Sequence, residues 1–366
     1  MREPVESIVT EEEPLVIDAS YGEGGGQILR TALALSTLLR RPLRIKGIRA
    51  GRKNPGLAAQ HLLGVLATAK LCAAELEGAQ LSSQSLSFVP REAPRPGRYV
   101  FDVAEARRGG SAGATSLVFQ TIHLPLALAG GPSEVVLKGG THVPWSPPYH
   151  YLESVYAPTI ARMGLQLELY LERWGFYPQG GGIVQVRLMG GVKLQPLELS
   201  ERGGLRRIRL LSAVARLPRS IAERQARRAE ELLREEGLPP EVEIAEADAP
   251  GPGTFVFVEA EFENSVAGFS ALGERGKPAE RVAEEALDQF IDHYRSGEAI
   301  DPHLADQLIL PLALAEGPSS FSTSRVTQHL LTNIWVVERF LEARFEVRGE
   351  LGSPGSVISR PEGSHV

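Results

Sequence analysis

Cysteine is almost missing from this chain. Cys72 is its one thiol, which excludes a disulfide framework within the chain and argues against a zinc site built on thiolates. Long apolar runs are missing too. The longest candidate, 117–129, is interrupted by Gln120 and His123, so no membrane-spanning helix and no membrane partner are expected. The acidic stretch Met1 to Pro14 has no apolar h-region, so a secretory signal is not expected either. Lysine is scarce, at 6 residues beside 33 arginines, and these 39 basic side chains are outnumbered by 45 acidic ones. The resulting net charge of −6 excludes a protein that coats nucleic acid by bulk charge; such a role would need a local basic patch. What remains reads as a soluble, cytoplasmic, globular protein. At 366 residues it is too long for one small core, so one large or two medium domains are expected.

The chain repeats itself. Leu124 to Ala129 followed by Gly131, Pro132 and Ser133 recurs, 186 positions later, as Leu310 to Ala315 followed by Gly317, Pro318 and Ser319. After each copy comes a β-like run (Glu134–Lys138, Ser319–Thr323) and then a helix-like run (Tyr149–Met163, His329–Ala343). A weaker third copy lies at the start. There a helix over Gln27–Leu39, with Ile28, Ala32, Leu35 and Leu39 on one face, is followed by a strand over Leu43–Ile48 and a long helix over Leu57–Leu76. One supersecondary unit used three times predicts an α/β (α+β) fold in pseudo-threefold arrangement, with a site where equivalent ends converge. Those ends hold Arg49 and Arg52, Thr141 to Pro148, and Thr327 to His329. The third unit starts only near Ile300. The intervening segment has a charged strand (Leu205–Leu211), a charged helix (Ser220–Glu236), a strand (Thr254–Phe262) and another helix (Pro278–Tyr294). It reads as a small inserted α+β domain over 201–298, within a larger domain formed by 1–200 and 299–366.

Several constellations could carry chemistry. Tyr21 to Gln27, with Gly22, Glu23, Gly24, Gly25 and Gly26, follows a short strand (Leu15–Asp18) and opens a helix. It is either a tight turn or a phosphate cradle, and Glu23 inside a cradle would imply a bridging Mg²⁺ or Mn²⁺. Arg30 lies one turn further on. Arg49, Arg52 and Lys53 beside Gly56 suit a polyphosphate or an RNA end, or a solvated basic turn. The glycines Gly109, Gly110 and Gly113 before the second unit's helix offer another anion-binding start. Gln120, in an apolar helix, is a satisfied core amide or a ligand contact. His329 begins an apolar helix, where the positive end of the helix dipole favours the neutral, nucleophilic imidazole; a capping role is the alternative. His303 and Asp306 open the preceding helix, where an Asp also serves as a common cap.

Taken together, Asp18 to Arg30, Ile48 to Arg52, Gly175 to Gly182, His303 to Leu308 and His329 to Asn333 resemble RNA 3′-terminal phosphate cyclase. The resemblance runs from about 15 to 347 and includes the insertion. It implies three repeated units of two helices and a four-stranded sheet plus the inserted domain. The implied reaction uses ATP with Mg²⁺ or Mn²⁺. A histidine takes AMP from ATP, passes it to an RNA 3′-phosphate end, and the neighbouring 2′-OH closes a 2′,3′-cyclic phosphate. By resemblance His329 is the nucleophile, Glu23 holds the metal, and Arg30, Arg49 and Arg52 hold phosphates. Gln120, Leu304, Ala305, Asp306 and Gln307 line the nucleotide site, with Pro147 on one face of adenine. His303 stands where some members have a stacking tyrosine. An oligomer is compatible with all of this. The rivals are a non-catalytic relative, which would lack the histidine, and an enolpyruvyl transferase, which has similar repeats without adenylate chemistry.

Overall fold

The computed structural model describes residues 13–22, 24–106 and 112–361. It is a mixed α/β structure in which the strands form four-stranded mixed sheets.

The chain opens with β1 (Leu15–Asp18), α1 (Gly26–Leu39), β2 (Leu43–Lys46), α2 (Ala59–Cys72), β3 (Glu75–Glu77) and β4 (Leu86–Val89). Then come β5 (Arg98–Asp102), α3 (Thr115–Leu128), β6 (Ser133–Gly139), α4 (Tyr149–Tyr151), a π turn (Leu152–Tyr156), α5 (Ala157–Ala161), β7 (Leu167–Arg173) and β8 (Gly182–Leu188). The short β9 (Glu198–Leu199) precedes β10 (Leu205–Ala215), α6 (Arg219–Glu235), β11 (Glu241–Glu246), β12 (Gly253–Phe262), β13 (Val266–Leu272) and α7 (Ala279–Ser296). The chain continues with α8 (Pro302–Ala313), β14 (Ser319–Thr323), α9 (Gln328–Phe340), β15 (Ala343–Arg348) and β16 (Gly355–Pro361).

Three sheets share one strand order: β1-β2-β4-β3, β5-β6-β8-β7 and β9-β14-β16-β15. In each, the first pair is parallel and the others are antiparallel. The fourth sheet, β11-β10-β12-β13, packs against α6 and α7. It has its own buried cluster, including Val256, Val258, Phe269 and Phe290. The repeated Leu-Pro-Leu-Ala segments form the C-terminal turns of α3 and α8, with Pro125 and Pro311 inside the helices. The likeness extends to hydrogen bonds, since Ser133 Oγ accepts from the Gly97 N–H and Ser319 Oγ from the Leu197 N–H.

The sequence places one apolar face on α1, yet nearly the whole helix is buried because α2, α3 and α9 all pack on it. Two of its buried hydroxyls find partners: Thr31 Oγ1 donates to Asn333 Oδ1 at 2.7 Å, and Ser36 Oγ to the Arg41 carbonyl at 2.6 Å. Two expected helices end differently. The run 57–76 stops at Cys72, where Ala73 takes a left-handed φ of 49°, and β3 follows. The run 149–163 carries the π turn midway. Among the described residues, no helix is long and apolar enough to cross a membrane.

Candidate active site

A cleft of about 640 Å³ opens where the first turns of four helices meet. Gln27 and Arg30 of α1, Leu117 and Gln120 of α3, His303, Asp306 and Gln307 of α8, and His329 of α9 line it. Each of these residues falls in the first two turns of its helix. Four positive dipole ends therefore point into one space, an arrangement suited to an anion. The loop from Val143 to Pro148 forms one rim, and opposite it the turn after β13 and α7 supply Gly273, Gln289 and Lys277, the last paired with Glu274 and Glu285.

Local chemistry fixes these helix starts. Asp301 caps α8, its Oδ1 accepting from the His303 and Leu304 N–H groups while the Tyr151 hydroxyl donates to the same carboxylate at 2.8 Å. Thr327 caps α9 by accepting from the Leu330 N–H at 3.0 Å. Asn333 ties three helices together: its Oδ1 receives Thr31 of α1, and its Nδ2 donates to the Asp306 carbonyl of α8 at 2.7 Å. Among the described residues no side chain caps α1, whose N-cap is Gly25. Its first N–H groups suit water or a ligand.

The glycine turn lies against α9. Gly22 has φ +60°, and a Cβ placed on it would sit 2.5 Å from Thr332 Oγ1 and 3.3 Å from Gln328 Nε2, one turn and one residue from His329. Tyr21 stacks on Trp335 of the same helix at 4.2 Å. On the turn's other side are cations. A Cβ on Gly25 would be 3.4 Å from Arg52 Nη2, and one on Gly26 would overlap the His61 ring and lie 3.0 Å from Arg30 Nη1. Burial, reinforced by the nearby Arg30 and Arg49 charges, pushes the His61 imidazole down to about 3. Burial and Arg52 likewise lower Arg49. Burial lowers Arg30 to about 10, against the pull of Asp306. An anion at the glycine turn would relieve this repulsion. Arg30 Nη2 donates to Gln27 Oε1 at 2.5 Å, whereas Arg30 Nε and Gln307 Oε1 are buried without hydrogen-bond partners among the described residues. Such atoms can be satisfied by water or a ligand in the cleft.

Of the residues singled out from the sequence, Arg30, Gln120, Pro147, His303, Asp306, Gln307 and His329 share the cleft. Gln120 lines it rather than being a core amide. His303 is exposed at the mouth, edge-on to Tyr151. The side chains of Leu304 and Ala305 are fully buried in the main core and do not line the cleft, and the Leu304 N–H donates to Asp301 Oδ1. Arg49 and Arg52 stand beyond the glycine turn and outside the cleft lining; Arg49 Nη1 donates to the Gly56 carbonyl at 2.9 Å. Glu23 lies outside the described residues, as do Gly109 and Gly110. His61 went unnoticed because Gln60-His61-Leu62 looks like ordinary helix. Its position in the first turn after the Arg49–Gly56 stretch was the available signal. The rim residues from β13 and α7 had no signal at all. A second groove of about 800 Å³ lies elsewhere, but there Glu153, Glu241, Glu243 and Glu259 outnumber Arg209 and would repel a phosphate.

Residues 21–347 match the family model described as RNA 3′-terminal phosphate cyclase. A protein of Methylococcus capsulatus named RNA 3′-terminal phosphate cyclase is 50% identical over 351 residues, covering 96% of this chain and 97% of that protein. Proteins of the same name from Gloeothece citriformis and Methanopyrus kandleri are 47% identical over 336 residues and 44% over 354. These cover 92% and 95% of this chain, and 96% and 99% of theirs. The enolpyruvyl transferase NikO from Streptomyces tendae aligns with a TM-score of 0.27 and 14% identity, over 48% of this chain and 33% of its own. That likeness is too weak to carry any argument.

Proposed function

This chain belongs to the RNA 3′-terminal phosphate cyclase family of enzymes, and from that premise we propose that it uses ATP to convert an RNA 3′-phosphate into a 2′,3′-cyclic phosphodiester. His329 is the nucleophile. Its imidazole nitrogen attacks the α-phosphorus of ATP, the bond to the β-phosphate oxygen breaks, and pyrophosphate leaves. An oxygen of the RNA 3′-phosphate then attacks that phosphorus, the P–N bond breaks, and the imidazole is regenerated. Finally the terminal 2′-OH, losing its proton, attacks the 3′-phosphorus and AMP departs. Adenylation matters because a bare phosphate oxygen is a poor leaving group and AMP is a good one. Closure itself needs little beyond positioning.

One observation carries the proposal: His329 shares a cleft with Arg30, Gln120, Asp306 and Gln307, and the glycine turn abuts its helix. Pro147 and His303 offer surfaces for adenine, and Asp306 and Gln307 for the rest of the nucleoside. Arg30, Arg49 and Arg52 hold phosphates around the turn. Among the described residues no three His, Cys, Asp or Glu gather as metal ligands. A Mg²⁺ or Mn²⁺ ion fits as one brought in on the nucleotide's phosphates, with Glu23 the protein carboxylate assigned to it. When bound it would neutralise phosphate charge. The common strand order of three sheets supports three repeats about a pseudo-threefold axis, and the separate buried cluster of 208–290 supports the inserted domain over 201–298. The enzyme works in the cytoplasm on this reading.

Incubating the protein with α-labelled ATP and Mg²⁺ tests the central step. The native chain should acquire a labelled, acid-labile AMP, and His329→Ala should acquire none. A full-strength adduct in that variant removes His329 from its role.

A further inference from the structure

The side chain least explained by the reading above is Trp145. Its indole is 97% exposed, an unusual state for a residue whose large apolar surface is normally covered. It lines the same cleft as His329. Its backbone is held at φ +59°, in the left-handed region that a non-glycine residue occupies only at a cost. Pro144, Pro147 and Pro148 stiffen the loop. Ser146 Oγ donates to the Val143 carbonyl at 3.0 Å, and the Tyr149 N–H donates to the Thr141 carbonyl at 3.0 Å. A strained, rigid loop thus holds one large ring in water at a reaction cleft.

The proposed reaction joins two nucleotides through one bridging phosphate oxygen, the AMP on His329 and the RNA end. Pro147, half-buried, and His303 account for one base. For the second base, Trp145 on the same rim offers a large ring with both faces open. Tyr21, also exposed, has one face covered by Trp335 and does not line the cleft. Every base has a π face, so an indole selects for a base without selecting which one. We propose that Trp145 is the platform on which the base of the RNA's 3′-terminal nucleotide stacks, positioning the 3′-phosphate toward His329. This rests on the reading of the cleft given above.

Trp145→Ala and Trp145→Phe test it, because a fully exposed side chain can be removed without disturbing the core. With an oligoribonucleotide 3′-phosphate, Trp145→Ala should raise KM roughly tenfold or more while kcat and the rate of adduct formation from ATP stay unchanged. Trp145→Phe should recover most of the loss. An oligonucleotide with an abasic 3′-terminal nucleotide should bind native protein and Trp145→Ala alike. Titration with the normal oligonucleotide should quench tryptophan fluorescence in native protein and not in Trp145→Phe. Unchanged RNA KM with no quench overturns the proposal, and so does a raised KM for ATP alone, which would place adenine on the indole. Failure of the native chain to form any AMP adduct would instead sink the catalytic reading, leaving the fluorescence result to decide the stacking.

Discussion

Gly22 shows how much one missing methyl group can matter here. At φ +60° any side chain is strained by about 1–2 kcal/mol, and a Cβ would press on Thr332 Oγ1 at 2.5 Å. Thr332 is itself buried, with its hydroxyl unpaired among the described residues, so it has little room to yield. Gly22→Ala should therefore cost about 2–3 kcal/mol of stability and slow AMP-adduct formation at least tenfold, because the glycine turn is pushed off the helix that carries His329. Adding Thr332→Ala removes the collision but not the backbone strain, so the double variant should regain only part of both losses. Urea midpoints and single-turnover adduct rates read this out. An adduct rate untouched by Gly22→Ala would mean that the turn and His329 do not work together.

At the scale of elements, the site is a meeting of helix starts, and Asn333 is the pin. It is buried and bonds to Thr31 on α1 and to the Asp306 backbone on α8. Asn333→Leu leaves the Thr31 hydroxyl and the Asp306 carbonyl short of a partner, at a cost of about 2–4 kcal/mol. It should also raise the KM for ATP in the adduct reaction, since Asp306 and His329 lose their common tether. Pairing it with Thr31→Val should recover part of the stability, because then neither side of that bond is stranded. Full additivity of the two would refute the pin. The helix starts were legible because Asp301, Thr327 and the glycine turn announce them in the sequence, and the repeated segments pointed to α3 and α8. The edge strands β7 and β11 were not, since their alternation of charged and apolar residues acquires meaning only once a neighbouring strand sets the register. Likewise, nothing local tells α1 that three helices will bury it on all sides.

Across the whole molecule, what the sequence withheld is mostly burial. His61, His123, His142 and His293 each sit in an ordinary run of residues, yet all four are buried. Burial holds His61 and His293 down to about 3, His123 to about 4 and His142 well below its ordinary value. His123 shows how neutrality is built in: Nδ1–H can only donate to the Phe119 carbonyl, so Nε2 accepts from the Tyr156 hydroxyl at 2.6 Å. The folded chain thus binds fewer protons than the unfolded chain between pH 6.5 and about 4, so stability falls as pH drops through that window. Burial also holds His150 to about 4, and at pH 5.5 each such histidine costs about 1.4 kcal/mol relative to pH 7.5. Asp301 and Glu153, raised by burial, act in the opposite direction but are outnumbered. Urea unfolding should accordingly show a markedly lower midpoint at pH 5.5 than at pH 7.5. His293 isolates the cause, because both its ring nitrogens are buried without partners among the described residues, and Phe262 and Phe269 surround it. His293→Phe should be neutral or stabilising at pH 7.5 and should remove about 1.4 kcal/mol of the acid loss. An unaltered pH dependence in that variant would assign the acid sensitivity to the carboxylates instead.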